Sequence, residues 1–351
     1  MSLDWQGSAA GIELEPIALA LSQDDVPDRR YYGMAVSNQG LIAYTQSPKD
    51  PPFLRILSAS GRRIAAFGTS GDGPGEMRAP SVITWRDELL IVVTRPGGVI
   101  AEFDSTGHLV REVATGFTGV VLGASPREFD GTLLGPRGAA REVGLRLMHG
   151  DLNRVPNVRP PDDWAEIDRL LAMNLIDRTG AVLQDGFGYG RGSDYVIVGS
   201  GATYSGLVVP SLAGEEAWEF SRDLGPRYRG PAEIERILRL MDSQSPVRGP
   251  KGQTIELPSG EPLRTKLKGE PVPHFGGGRS LFLDAKRRLW VLGTSDDNTF
   301  ADVFKQGEFL GRLSIGCVLP RDGVSLAGDW LALRCEQEAG TETLHLFRIH
   351  G

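Results

Sequence analysis

The sequence predicts an all-β chain, a six-bladed β-propeller with four strands to a blade, and three observations predict it. Short apolar runs of strand length alternate with turns along 351 residues that include 46 glycines and 23 prolines. A hairpin of strand, Gly-closed turn and strand recurs five times, with its glycine at Gly61, Gly107, Gly180, Gly214 and Gly307. Its spacings are 46, 73, 34 and 93 residues, against about 40 for a four-stranded blade. Two spacings hold one blade each, and two hold extra chain of roughly 30 and 50 residues. The third observation lies at the chain ends. The last apolar run, TLHLFRIH, stops at Gly351, where a hairpin glycine belongs, and residues 12–21 form a strand-like run with no partner before it. The N-terminal run is therefore expected as the outer strand of the C-terminal blade, closing the ring and leaving only short edges.

The elements follow in order. Blade one reads YYGMAVSN, LIAYTQS, FLRILSAS and RRIAAFG. Blade two is SVITWRDE, LLIVVTRP, GVIAEFDS and HLVREVA. Blade three begins VVLGASPRE and GTLLGPRG and resumes at LLAMNLIDRTG, with an insertion at 139–168 between its second and third strands. The end of that insertion, PDDWAEIDRLLA, reads as a helix capped by Asp162 or Asp163, with Trp164, Ile167, Leu170 and Leu171 on one face. Blade four takes its innermost strand from GFGYGRGS, then DYVIVGSG, YSGLVVPSL and EAWEFSRD. A larger insertion, 225–275, follows. Within it PAEIERILRLMD reads as a helix, with Pro231 first and Ile234, Ile237, Leu238 and Met241 as its stripe, and the remainder reads as polar and lid-like. Blade five is SLFLDAKR, LWVLGTS, FADVFKQ and FLGRLSI; blade six is GVSLAGD, WLALRCEQ and TLHLFRIH plus the N-terminal strand. The whole, 1–351, is expected to be one domain with both helix-containing insertions on one face.

The motif FGTSGDGPGEMRAP at 67–80, the repeated hairpins, and DAKRRLWVLG at 284–293 resemble NHL-type six-bladed β-propellers of bacteria. The resemblance covers most of the chain as a repeat pattern; blades three and four and the insertions depart from it. It implies the fold. Related propellers include binding scaffolds, lactonases and lyases, so it leaves the function open.

In a propeller, the loops after second strands and the connections between blades emerge on one face. The residues just before the innermost strands should ring the channel mouth there: Arg29 and Arg30, Arg78, Thr118, Arg191, His274, and Arg321 with Asp322. A cluster of arginines on a concave mouth favours an anion, so the expected ligand is an anionic small molecule or peptide. Pairing of each arginine with a nearby carboxylate, such as Asp28, Glu76 or Asp194, accounts for the same residues. The catalytic candidates are His149, His274 and Asp151, in or beside the insertions. HExxH, CxxC and GxSxG are absent from the sequence. The alternative function is an enzyme, a lactonase-like hydrolase or a lyase, acting at the same mouth.

No cofactor is expected from the motifs, and Ca²⁺ is the one that lactonase-type propellers raise. Asp296, Asp297 and Asn298 are its candidate ligands on the ligand-side loop of blade five. An Asx turn on a solvated loop accounts for the same three residues. The glycine runs at 71–76 and 186–192 do not lead from a strand into a helix, so they read as tight loops rather than dinucleotide fingerprints. Cys317 and Cys335 both map to the ligand face, within range of a disulfide. A net charge of −7 argues against general nucleic-acid binding. No apolar run reaches transmembrane length. Residues 1–11 carry no basic, then apolar, leader pattern, and compartment and oligomer stay open.

Overall fold

The computed structural model describes residues 9, 11–25, 33–46, 51–71, 73–77, 80–86, 88–94, 99–114, 120–124, 128–132, 145–149, 187–189, 195–198, 203–209, 218–244, 247–248, 254–255, 260–269, 271–272, 281–294, 299–319, 323–336 and 342–351. The first sheet holds Met34–Val36, Ile42–Thr45, Leu54–Leu57 and Arg63–Phe67. The second holds Pro80–Arg86, Leu89–Thr94, Val99–Phe103 and Leu109–Ala114. The third holds Val120–Ala124, Glu128–Thr132 and Leu145–His149. The fourth holds Phe187–Tyr189, Tyr195–Val198, Thr203–Val209 and Trp218–Asp223. The fifth holds Leu281–Leu283, Leu289–Thr294, Thr299–Lys305 and Glu308–Ile315. The sixth holds Val324–Ala327, Trp330–Glu336, Glu342–His350 and, at its outer edge, Glu13–Ile17 from the other end of the chain. There Glu13 pairs with His350 and Ile17 with Leu346.

All these pairings are antiparallel. The first strands abut one another in chain order, and the first strand of the sixth sheet abuts that of the first. Two hydrogen bonds mark the series: the Trp85 indole donates to the Ala35 carbonyl at 3.3 Å, and the Val36 N–H donates to Ser325 Oγ at 2.9 Å.

The core lies between sheets, because each middle strand is covered on both faces. Successive side chains of a strand point to opposite faces. Ala43 accordingly packs towards Trp85 and Phe103 of the second sheet, while Ile42 and Tyr44 pack towards Leu344 and Leu346 of the sixth. Leu331, Leu333 and Cys335 face the fifth sheet with Trp290 and Val303, and Ala332 between them faces the first. This two-sided burial is why runs such as LLIVVT and WLALRC are continuously apolar rather than alternating.

The repeated hairpins share a glycine at positive φ, although that at Gly307 closes on the two residues Gln306-Gly307 and those at Gly61 and Gly107 on longer turns. Each has a register shift near the turn, at Ile56/Leu57, Glu102/Phe103 and Val303/Phe304. Gly61, Gly107 and Gly307 close these turns with φ of 84°, 86° and 88°. Each turn also docks against the sheet before it. A Cβ on Gly107 would lie 2.5 Å from the Phe67 ring, and one on Gly307 would lie 2.8 Å from the Glu219 carbonyl. For Gly61 the neighbour is Ala20, 2.7 Å away, just after the N-terminal strand. The N-terminal segment thus occupies, against the first sheet, the place that an outer strand occupies against the next sheet elsewhere. Gly180 and Gly214 lie outside the described residues.

Two departures from the sequence reading concern the insertions. The strand read at 170–180 lies outside the described residues, and the third strand of the third sheet is Leu145–His149, inside the stretch read as insertion 139–168. It pairs fully with Glu128–Thr132 after a connection of only 12 residues. Its residues, LRLMH, include no β-branched side chain and none of Phe, Tyr or Trp, so the sequence carries no local strand signal there. The helix read at 161–172 lies outside the described residues. In 225–275, helix α1 begins at Pro231 as read and spans Pro231–Gln244. A second helix, α2 (Gly260–Gly269), stands where polar, lid-like chain was read. Its apolar stripe is the single pair Leu263 and Leu267, too sparse to signal a helix alone. The pair packs on Ile234 and Leu238 of α1, so the insertion closes a small core of its own. Arg227 pairs with Glu233 and Arg264 with Glu235, and the two-stranded ribbon Arg227–Tyr228 with Pro271–Val272 ties its base.

Candidate functional site

The candidate site is the end of the sheets at which the chain enters each first strand. The first and sixth sheets describe its backbone. The Thr45 N–H donates to the Gly33 carbonyl at 3.1 Å, and the Arg334 N–H donates to the Gly323 carbonyl at 2.7 Å. Gly33 and Gly323 are therefore equivalent points of entry, and Arg30 and Arg321 precede them by three and two residues. Third strands begin alike: the Phe53 N–H donates to the Gly68 carbonyl at 3.2 Å and the Thr299 N–H to the Cys317 carbonyl at 2.9 Å.

Charged groups near this end satisfy one another. Arg334 and Glu342 form an ion pair at 2.9 Å with both side chains 4% exposed. The Asp25 carboxylate, 3% exposed, takes Arg55 at 2.8 Å and Arg63 at 3.4 Å. The Tyr44 hydroxyl donates to the Asp25 carbonyl at 2.8 Å, and burial pushes its pKa well above the usual phenol value. Together these contacts anchor the short 3₁₀ turn Gln23–Asp25 that leads towards Arg29 and Arg30. Buried pairs of this kind gain little net stability over apolar packing, yet removing one partner is costly. Arg334–Glu342 joins two neighbouring strands of the sixth sheet, and Asp25 ties its turn to the third and fourth strands of the first.

The glycine-rich loop at 71–76 is occupied by its own carboxylate. The Gly73 N–H donates to Glu76 Oε2 at 2.8 Å, and a Cβ on Gly71 would collide with that carboxylate. The Gly75 N–H donates to Glu112 at 3.0 Å. The glycines serve a tight connection between the first and second sheets, and Glu76 is engaged within it.

Cys317 and Cys335 are disulfide-bonded, with Cα atoms 5.6 Å apart. The bond joins the segment after the outer strand of the fifth sheet to the second strand of the sixth. Sequence spacing placed these cysteines on one face; the structure joins them.

Arg29, Arg30, Arg78, Thr118, Arg191, His274, Arg321 and Asp322 lie outside the described residues, as do Asp28, Asp194, Asp151, Asp296, Asp297 and Asn298. His149 ends the Leu145–His149 strand, its backbone opposite Glu128. Among the described residues, no three metal-ligating side chains gather. Sequence reasoning missed Asp25, Thr299 and the Arg334–Glu342 pair. Nothing local marks them, because their partners are brought together by sheet pairing and by the connection after the N-terminal strand.

No family model and no curated protein matches this chain. Among solved structures, it is similar to a member of the DUF4221 family from Bacteroides vulgatus, with 13% identity, 98% of this chain and 100% of that chain covered, and a TM-score of 0.53. It is also similar to the PQQ-bound aldose sugar dehydrogenase of Streptomyces coelicolor, with 11% identity, 99% and 100% covered, and a TM-score of 0.42. A gluconolactonase of Xanthomonas campestris matches at 10% identity, with 97% and 91% covered and a TM-score of 0.41. At such identities the first likeness concerns fold alone, and the other two carry no argument about chemistry. The fold, with its antiparallel four-stranded sheets, is that of a β-propeller.

Proposed function

We propose that the chain is a six-bladed β-propeller of the NHL type that binds an anionic small molecule or peptide carboxylate at the mouth of its central channel. The observation that supports this is the closed series of abutting first strands. In a propeller, such strands all start on one face. Arg30, Arg78, Arg191 and Arg321, with His274, each precede one of them in the chain, and this reading gathers them at that face. Guanidinium groups gathered at a concave, low-dielectric mouth attract carboxylates strongly and grip them with paired N–H donors. The insertion 225–275 leaves from the connection before the fifth blade, and in this reading its packed helices α1 and α2 serve as the lid.

Calorimetric titration with citrate and with a short peptide carrying a free C-terminal carboxylate tests this. Each charge-assisted contact contributes about 1.5–3 kcal/mol, so Arg78→Ala with Arg191→Ala should weaken binding by about 100-fold or more while leaving the melting temperature nearly unchanged. Affinity should also fall as salt is raised. Equal affinity for the wild-type and variant chains, or no binding of either probe by the wild type, would sink the reading.

A further inference from the structure

Asp302 lies on the third strand of the fifth sheet and is fully buried. Arg312, opposite it on the fourth strand, forks onto both its oxygens: Nε donates to Oδ1 at 2.6 Å and Nη2 to Oδ2 at 2.8 Å. The second sheet builds the same fork from Arg111 and the buried Glu102 on its own fourth and third strands. Such a fork gives each carboxylate oxygen a donor and cancels the buried charge. At Asp302 a second guanidinium is added. Arg222, on the outer strand of the fourth sheet, reaches across and donates from Nη1 to Oδ1 at 2.9 Å. The trio therefore carries one positive charge in excess, in a chain whose net charge is −7. Both guanidiniums are backed by rings: Arg222 lies over Phe309 at 4.0 Å and Arg312 over Phe300 at 3.7 Å. The two arginine side chains are 25% and 33% exposed. Among the described residues, Asp302 is the one hydrogen-bond partner of either guanidinium, and each guanidinium has five N–H donors. Sharing Oδ1 sets the two side by side, with donors left over on groups that reach solvent.

We propose that Arg222 and Arg312 form a binding site for a phosphate group at the outer margin between the fourth and fifth sheets. Asp302 and the two rings fix the guanidiniums before the ligand arrives, so little side-chain entropy is lost on binding. A planar carboxylate is filled by one fork, as Asp302 is by Arg312. A tetrahedral oxyanion has oxygens for two guanidiniums at once, and its charge matches the excess that Asp302 leaves. The site is separate from the channel mouth proposed above. Its residues stand on third and fourth strands, whereas the mouth residues precede first strands. The phosphate is either the free ion or an ester. Phe309, 38% exposed beside Arg222, offers an apolar contact that only an ester with an apolar group would use.

The test is calorimetric titration of the full chain with inorganic phosphate and with phenyl phosphate, for the wild type, Arg222→Gln and Arg222→Lys. Arg222→Gln leaves Asp302 its fork with Arg312, so the chain stays folded, which a melting curve checks. Loss of one charge-assisted contact should weaken phosphate by about tenfold or more. Arg222→Lys restores the charge without the planar donors and should recover only part of that affinity. Tighter binding of phenyl phosphate than of phosphate identifies an ester lying along Phe309, and equal binding identifies the free ion. No phosphate binding by the wild type in the millimolar range overturns the proposal. So does equal affinity in wild type and Arg222→Gln, because Arg222 then serves only to join the two sheets. A chain carrying Arg78→Ala with Arg191→Ala should still bind phosphate, and loss of binding there would move the ion to the mouth and overturn the proposal as well. Failure of citrate to bind the wild type bears on the mouth reading alone.

Discussion

Gly107 shows how one residue carries two tasks. Its φ of 86° lies in the left-handed region, which costs an L side chain about 1–2 kcal/mol. The Phe67 ring also lies where its Cβ would be, at 2.5 Å. Gly107→Ala should therefore cost about 2–5 kcal/mol, strain and overpacking together. Gly225 has a φ of 66° but nothing within 4 Å of a built Cβ, so Gly225→Ala should cost about 1–2 kcal/mol. Urea unfolding of the two variants separates the terms, and equal losses would remove the docking role. His345 makes a prediction in pH. Burial holds its pKa below the ordinary histidine value, so the unfolded chain binds the proton more readily than the folded one. Stability should be complete above about pH 6.5 and fall as pH drops below it, by at most about 1.4 kcal/mol per pH unit. His345→Gln should remove that part of the slope in urea melts between pH 5 and 7.

The N-terminal strand is the element on which closure depends. Ile12 and Leu14 pack on the core between the fifth and sixth sheets; Ile17, Leu19 and Leu21 pack on that between the sixth and first. Five part-buried apolar side chains, at about 1 kcal/mol or more each, approach the whole stability of a typical domain. Deleting residues 11–21 should therefore lower the melting temperature by tens of degrees or abolish folding, and an unchanged melting curve would sink this account. Glu13, Glu15 and Pro16 leave that strand a poor template for a further chain. This strand was readable because its apolar pattern stood without a neighbour. Helix α1 was readable from Pro231 and a full stripe. Helix α2 was not, since two leucines become a helix face only when Ile234 and Leu238 stand opposite them. Strand Leu145–His149 carries no strand former in its sequence, and pairing with Glu128–Thr132 makes it a strand.

Over the whole molecule, the repeat of turns and apolar runs determined that the chain is built of four-stranded antiparallel sheets, that its two ends share one of them, and that Cys317 and Cys335 lie on one face. Those properties depend on local signals, a turn glycine with positive φ and runs of strand length, which any short stretch of chain displays by itself. The basic mouth, too, is read from chain position alone and stays a proposal in an acidic protein of net charge −7. Tertiary structure decided the rest. It paired Arg222 and Arg312 with the fully buried Asp302, Arg334 with Glu342 and Asp25 with Arg55 and Arg63. It filled the loop at 71–76 with Glu76. It closed the disulfide that joins the fifth sheet to the sixth. Arg222 and Asp302 are 80 residues apart in the chain. Such a pair leaves no local trace, because the energy that selects it exists only once neighbouring sheets have excluded water from between them.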